Sequence, residues 1–441
     1  MKFMKNRWLV LLMGLTLLML AACGGNDSST EPTSNEPAGD DTKTEEPAAG
    51  GTEGTLEIFS WWTGAGEEDG LLALIDVFNE QYPEIQVENA AVAGGAGTNA
   101  KAVLVSRMQG GDPPSTFQVH GGAELNDSWV AAEKMDSLTS FFEENDLVDK
   151  FPADLIDLVS KDGEIYSVPV NVHRGNVLWY NKEVFDNLGL EAPTTFDEFF
   201  EVAETLKENG ITPLALGDRE SWTATHLFES ILLGVLGAEE YEKLWTGEGA
   251  FDDPQVVESA EIFVKMLEFV NDDHSARNWQ DAAQLVAEGD AAMNVMGDWA
   301  KGYFDGVGLE AGTDYGWAPT PNSAGTFMVV TDTFGLPKGV DNPDTVKQFL
   351  KVLASVEGQD AFNPLKGSIP ARVDADVSKY DSYGQETMED FKSDSLAASL
   401  AHGSAANEGF LTRVNDAMTM FVTQKNVESF ISQLTNAAGE L

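Results

Sequence analysis

The residues from Leu56 to Val119 alternate between two hydrophobic periodicities, and this alternation narrows the possible folds more than any other feature of the chain. Leu56-Glu57-Ile58-Phe59 reads as a strand that ends in Ser60-Trp61-Trp62 and a glycine-rich turn, Thr63-Gly64-Ala65-Gly66. Leu71, Leu72, Leu74, Ile75 and Phe78 then recur at helical spacing until Tyr82-Pro83 stops the helix. Ile85 to Val92 reads as a strand, Thr98 to Gln109 as a helix and Thr116 to Val119 as a third strand. Strand, helix, strand, helix, strand predicts a parallel sheet with helices on its faces, because parallel neighbours need a connection long enough to hold a helix. With 441 residues the chain exceeds one ordinary core, so two domains or a two-lobed domain is expected. Open α/β sheets place ligand crevices beyond the carboxyl ends of their strands. Trp61 and Trp62 therefore offer a flat apolar surface for a ring-shaped ligand, unless both indoles simply fill the core.

What precedes this region has a different character. Lys2, Lys5 and Arg7 lead into an apolar run from Trp8 to Ala22 that closes on Leu20-Ala21-Ala22-Cys23, the pattern of a secretory signal over residues 1–22. Cys23 is the only cysteine, so no intramolecular disulfide is possible. Its place after two small residues resembles the lipobox of bacterial lipoproteins, which implies acylation at Cys23 and anchoring to the outer face of the cell membrane. From Gly24 to about residue 54 almost every residue is Gly, Asn, Asp, Ser, Thr, Glu, Pro or Ala, which predicts a flexible acidic tether. The net charge of −48 argues against nucleic acid as a partner, since neutralising phosphates requires basic patches. So many carboxylates predict a solvated surface suited to high salt or high pH.

Further along, Lys161-Asp162-Gly163-Glu164 predicts a hairpin into Ile165-Tyr166-Ser167-Val168-Pro169, after a stretch to Val159 that reads as helical. Val177-Leu178-Trp179-Tyr180 reads as a strand, with Trp179 in the core. Thr195-Phe196-Asp197-Glu198 is a capping box that opens a helix ending near Asn209-Gly210. Helices follow at Trp222 to Leu236 and Pro254 to Val270, then a strand at Ala291 to Met296 that ends in Gly297-Asp298-Trp299. Short strands at Tyr315 to Ala318, Phe327 to Val330 and Phe334 to Leu336 precede further helices to the C-terminus. Pro169 to Asn176, the region of these short strands, and Asn363 to Arg372 are the places where the chain is expected to cross between two lobes.

There is no Gly-x-x-x-x-Gly-Lys loop, no Gly-x-Ser-x-Gly elbow and no His-Glu-x-x-His, and the five histidines are scattered without metal-ligand spacing. Gly95-x-Gly97-x-x-Ala100 imitates a dinucleotide fingerprint, but no acidic residue ends the next strand and the preceding strand does not begin the unit. No cofactor and no metal are expected. A glycosidase's paired carboxylates leave no local signature, so among 74 acidic residues a secreted carbohydrate-active hydrolase stays an alternative, as does a binder of another solute such as an oligopeptide or polyol. What recurs is an aromatic beside a hydrogen-bonding group: Trp61 and Trp62 with Glu67, Gln118 with His120, Trp222 with His226, Trp279 with Gln280, Asn294 with Asp298 and Trp299, and then Lys366 and His402. Sugars demand this mixture, since a pyranose stacks its C–H face on an indole while its hydroxyls need partners.

Ile58-Phe59-Ser60-Trp61-Trp62, Gly110-Gly111-Asp112-Pro113-Pro114, Ser167-Val168-Pro169-Val170-Asn171-Val172-His173-Arg174, Asn294-Val295-Met296-Gly297-Asp298-Trp299 and Asn363-Pro364-Leu365-Lys366-Gly367-Ser368-Ile369 follow in order. With the lipobox and tether, they resemble the sugar-binding lipoproteins of ABC importers, the family 1 extracellular solute-binding proteins, and in particular glucose/mannose-type binders. The resemblance covers the chain from Leu56 onward. It implies a two-lobed periplasmic-binding-protein-like fold (type II) of class α/β, each lobe a mixed sheet flanked by helices, with the ligand cleft between lobes. The expected lobes are 55–169 with 331–370, and 170–330 with 371–441. The resemblance also implies the site: Trp61, Trp62, Glu67, Gln118 and His120 from the first lobe, Trp222, Trp279, Asn294 and Asp298 from the second, and Lys366 and His402 completing the set. A monosaccharide or small oligosaccharide would be the ligand of a monomeric, non-catalytic protein, delivered to ABC permease subunits driven by a separate ATPase.

Overall fold

In the computed structural model, residues 54–441 are described; the signal segment, Cys23 and the acidic tether lie outside the described residues. The opening strand, Thr55–Phe59, is parallel to both its neighbours, Gln86–Asn89 and Thr116–His120, as the alternating periodicity predicts. Beyond Thr116–His120 the sheet continues with Asp332–Pro337, which runs antiparallel and also pairs with Met135–Asp136 and Ser167–Pro169. The helix Glu67–Gln81 covers one face by burying Leu71, Leu74, Ile75 and Phe78, and Leu72 turns outward. Glu67, Glu68 and Asp69 in its first turn complement the positive end of the helix dipole. Its partners are Pro343–Leu353 and Val356–Lys366, with Phe78 edge-on to Phe349 at 5.7 Å.

The second sheet has the order Thr212–Ala215, Ala291–Val295, Val177–Asn181, Tyr315–Pro319, the first two parallel and Val177–Asn181 antiparallel to both its neighbours. Thr195 and Glu198 form the expected capping box on the helix Phe196–Glu208. Trp179 is fully buried among Phe304, Tyr315 and Tyr383, as its strand position suggests. The long helix Trp222–Trp245 runs past Leu236 with a kink at Gly237, and Glu408–Gln424 packs beside it.

One strand from each expected crossing joins a further sheet, in the order Ile369–Pro370, Asn171–Arg174, Thr326–Val330, with Ser395–Ala398 added at its edge. Chain passing between two cores has backbone polar groups to satisfy, and side-by-side crossings satisfy one another's. The helix Val356–Lys366 continues through Pro364, whose missing N–H falls in the last turn, and ends at Gly367 with φ of 88°. Two stretches depart from the expectation of helix. Residues 120–159 hold four short helical segments, Glu124–Val130, Thr139–Glu144, Val148–Lys150 and Ala153–Leu158, separated by loops and the strand Met135–Asp136. Ser395–Ala398 is a strand because Thr326–Val330 supplies its ladder, which no local pattern announces. The result is a two-lobed α/β architecture with mixed sheets flanked by helices. Among the described residues no helix is long and apolar enough to cross a membrane.

Candidate functional site

Past the end of the opening strand, the Trp61 N–H donates to Gln118 Oε1 at 3.1 Å, and Gln118 Nε2 donates to Asp332 Oδ1 at 2.7 Å. Trp62 is 1% exposed, wedged between Phe334 and Phe362. Lys366 Nζ lies 5.8 Å from the centre of the Trp62 ring and donates to Glu67 Oε1 at 3.2 Å. Trp61 leans on His120, whose Nδ1 meets Glu124 Oε2 at 2.7 Å, and Glu124 is paired with Lys101 at 2.9 Å. Gly97, at φ of 76°, lets its loop lie against Trp61: a Cβ there would come within 2.9 Å of the indole. The glycines that imitated a dinucleotide fingerprint thus admit tryptophans. Gly95 likewise abuts Trp222, and its N–H donates to Glu220 Oε2 at 3.1 Å.

The facing wall is aromatic. Trp222 stands 5.5 Å from His402, and Trp299 stands 4.8 Å from the same imidazole. Trp279 is buried beside Tyr303. Behind them Glu229 is fully buried and accepts from Ser399 Oγ, from the N–H groups of Leu400 and Ala401, and from the Tyr241 hydroxyl. Because the one hydroxyl hydrogen of Ser399 goes to Glu229, its oxygen must accept from His402 Nδ1, at 2.8 Å. This leaves His402 Nε2 as an acceptor. Burial, and then the neighbouring His226, His120 and Lys101, push the His402 pKa well below the usual imidazole value. His226, Glu229 and His402 bring ligand-type atoms within 4.8 Å of one another. Glu229 already accepts this many donors, so its carboxylate is satisfied without a metal, whereas His226 Nε2 has no hydrogen-bond partner among the described residues.

The crossing strand Asn171–Arg174 joins the two walls through His173. Its Nδ1 bonds Asp298, and its Nε2 lies 3.4 Å from Asp332 Oδ2. Burial and Lys366 act against protonating His173, but the two aspartates outweigh them and raise its pKa. Asp332 is the converse. Burial would raise its carboxyl, yet the hydrogen bond from His173 and the charges of Lys366, His173 and His120 hold it far below the usual carboxylate range.

Residues 56–360 match the family described as bacterial extracellular solute-binding proteins, which is more than half of the chain. The chain belongs to this family. An uncharacterized ABC transporter extracellular-binding protein of Pyrococcus horikoshii is 40% identical over 97% of this chain and 95% of its own length. A probable sugar-binding periplasmic protein of Mesorhizobium japonicum is 32% identical over 83% of this chain and 88% of its own. Among solved structures, a bacterial solute receptor described as having an exclusive preference for β-D-galactopyranose superposes with a TM-score of 0.78 at 19% identity, covering 88% of this chain and 98% of that one.

In this solute-binding protein Trp61, Trp62, Glu67, His120, Trp222, Trp279, Lys366 and His402 all line one cavity. Gln118, Asn294 and Asp298 do not. Gln118 is held between Trp61 and Asp332; Asn294 Nδ2 donates to the Ala215 carbonyl at 2.8 Å; Asp298 accepts from His173, the Arg174 N–H and the Tyr383 hydroxyl. His173, Trp299 and Asp332 also line the cavity; Trp299 appears in the sequence among the aromatic-and-polar groups but not among the implied site residues, and His173 and Asp332 were not named for the site. Trp299 was within reach, since it ends the same turn as Asp298. The indole folds back over Gly297, where a Cβ would meet it at 2.3 Å. Trp299 Nε1 is buried with no hydrogen-bond partner among the described residues, a costly state for an N–H group. The walls meet closely, with backbone bonds from Ala123 to Ser404 and from Glu124 to Gly403, and the cavity measures about 20 Å³. That is room for about one water molecule.

Proposed function

We propose that this solute-binding protein captures a sugar in the cleft between its lobes and hands it to a membrane permease without reacting with it. Glucose or a related hexose is the favoured ligand. One observation carries the reading: a wall of indoles with a buried, unpartnered Trp299 N–H faces a wall whose Glu67, Lys366, His120 and Asp332 are already fixed by hydrogen bonds and ion pairs. A pyranose between them would stack on indole, accept from Trp299 Nε1 and donate to His402 Nε2. Asp298 and Gln118 act in this scheme by holding His173 and Trp61 in place. Ring entry requires the walls to part, and the sheet of crossing strands is the natural hinge. Sugar touches both walls only in the closed form, so it shifts the open-closed equilibrium by its differential affinity. The permease reads the closed form, and a separate ATPase supplies the energy. The protein works as a monomer, tethered to the outer face of the membrane through lipidated Cys23.

The test is melting temperature and released reducing sugar, measured together with glucose, galactose, mannose and maltose. At a ligand concentration a hundredfold above its dissociation constant, a binder gains about 2.7 kcal/mol of apparent stability. The expected result is that gain with at least one hexose and no sugar released. Hydrolysis of maltose overturns the non-catalytic reading, and a flat melting temperature with every sugar overturns the sugar reading.

A further inference from the structure

One carboxylate outside the cavity touches both walls of the cleft. Glu220 Oε2 accepts from the indole Nε1 of Trp222 at 3.2 Å and from the Gly95 N–H at 3.1 Å. The first donor belongs to its own wall, and the second belongs to the glycine-rich loop that Gly97 seats against Trp61. The Glu220 backbone is held in the Trp222 wall by its neighbours: the Asp218 N–H donates to the His274 carbonyl at 3.1 Å, the Arg219 N–H to the Arg277 carbonyl at 2.9 Å, and Thr223 Oγ1 to the Glu220 carbonyl at 3.0 Å. Gly95 fits with nothing to spare, since a Cβ there would meet Glu220 Oε2 and Trp222 Nε1 at 2.9 Å.

We infer that Glu220 is a positioning residue, which fixes the tilt of the Trp222 ring and grips the Gly95 loop only when the walls are together. The inference rests on the sugar-binding and closure reading of the cleft. Three features carry it. Trp222 lines the cavity and Glu220 does not, so the carboxylate acts through the ring. An indole has a single polar atom, so the bond at Nε1 selects one ring orientation among those the space allows. The two bonds also differ in reach: the one to Trp222 lies within a wall and survives opening, whereas the one to Gly95 spans the walls and is exchanged for water when they part. The backbone bonds from Ala123 to Ser404 and from Glu124 to Gly403 join the walls too, but with no hold on an indole.

The experiment has two readouts. Stopped-flow tryptophan fluorescence follows binding and release of whichever of glucose, galactose, mannose and maltose raises the melting temperature most, in the parent chain, Glu220→Ala, Glu220→Gln, Trp222→Phe and the Glu220→Ala, Trp222→Phe double variant. Glu220→Ala is expected to raise koff about tenfold and leave kon within about twofold, because a hydrogen bond made only on closure slows release and not encounter. Glu220→Gln keeps an acceptor oxygen and should recover most of the loss. In Trp222→Phe, which deletes Nε1, Glu220→Ala should cost only about threefold, since the Gly95 bond alone remains to be lost. An equal loss in both backgrounds overturns the positioning of Trp222. Unchanged koff in Glu220→Ala, or Glu220→Gln no better than Glu220→Ala, overturns the inference and leaves the sugar reading standing. The second readout needs no sugar: spin labels on Val105→Cys and Met420→Cys, exposed positions on the helices Ala100–Gly110 and Glu408–Gln424, in a chain whose one native thiol is removed by Cys23→Ser. Their separation should shift to longer distances in Glu220→Ala, and an unmoved distribution overturns the grip on Gly95. If no sugar alters the melting temperature, the sugar reading falls and the label distances alone decide the role of Glu220.

Discussion

The two walls of the cleft are built on opposite electrostatic plans. On the Trp61 side the charged and amide groups near the cavity are tied down: Gln118 to Asp332, His120 to Glu124, Glu124 to Lys101, and Lys366 to Glu67. On the Trp299 side polar atoms are left over: among the described residues Trp299 Nε1, which lines the cavity, and His226 Nε2 and Asn294 Oδ1 behind it are buried and unpartnered. A network of satisfied charges is rigid, because moving any member exposes another to desolvation without compensation. Unpaired buried donors and acceptors are the reverse, a standing free-energy cost that a ligand hydroxyl would remove. The difference teaches that one wall sets position and the other supplies the gain on closure.

If that division is right, the largest effects come from breaking the fixed wall. Trp62→Ala is expected to lower unfolding stability by about 3–5 kcal/mol, because the indole is wedged between Phe334 and Phe362, and to abolish sugar binding. Denaturant titration beside calorimetry checks both parts. Lys366→Met leaves Glu67 without its partner and should weaken sugar binding by about a hundredfold. Unaltered affinity in both variants would mean that the fixed wall does not touch ligand.

The unsatisfied wall should respond in the opposite sense. Trp299→Phe keeps a ring and deletes the orphaned donor, so stability should hold or rise by about 1 kcal/mol while sugar affinity falls about tenfold. A loss of both together would assign Trp299 to packing alone.

A smaller effect separates the walls by pH. His173 has a raised pKa, so its contribution to stability is full below the usual imidazole value and is lost as pH rises through its folded value. His402 has a lowered pKa, so its contribution is present above that usual value and is lost as pH falls towards its folded value. In the intact protein the two oppose each other. Melting temperature against pH is therefore expected to lose its alkaline decline in His173→Gln and its acid decline in His402→Gln. Identical profiles in both variants would break the comparison. The smallest effect concerns the surface: with a net charge of −48, melting temperature should rise modestly as salt screens self-repulsion, and a steady fall would refute that account.

Much of the site could be read from residue type and position. Tryptophans at the ends of Thr55–Phe59 and Ala291–Val295 stand where open sheets put ligands, and Lys366 ends a helix on the same side. What escaped was relational. Asp298 stood as a hydroxyl partner because the family resemblance implied it. Yet its carboxylate is spent on His173, Arg174 and Tyr383, and Gly297 frees Trp299 to take the facing position. Gly95 and Gly97 were legible as a turn, but that the turn makes room for Trp222 and Trp61 depends on residues far away in sequence. The sheet of crossings was invisible for the same reason, since Arg174 pairs with Val329, 155 residues further along the chain.

The strand Asp332–Pro337 also decides when the molecule can fold. It lies between Thr116–His120 on one side and Met135–Asp136 and Ser167–Pro169 on the other, and its pairing with Gln118 spans more than two hundred residues. A chain released only as far as Thr331 holds that sheet in separate pieces with open edges. Closing so long a loop is slow, because its entropy is lost before any contact rewards it. The first lobe, though begun at the front of the sequence, is therefore completed late.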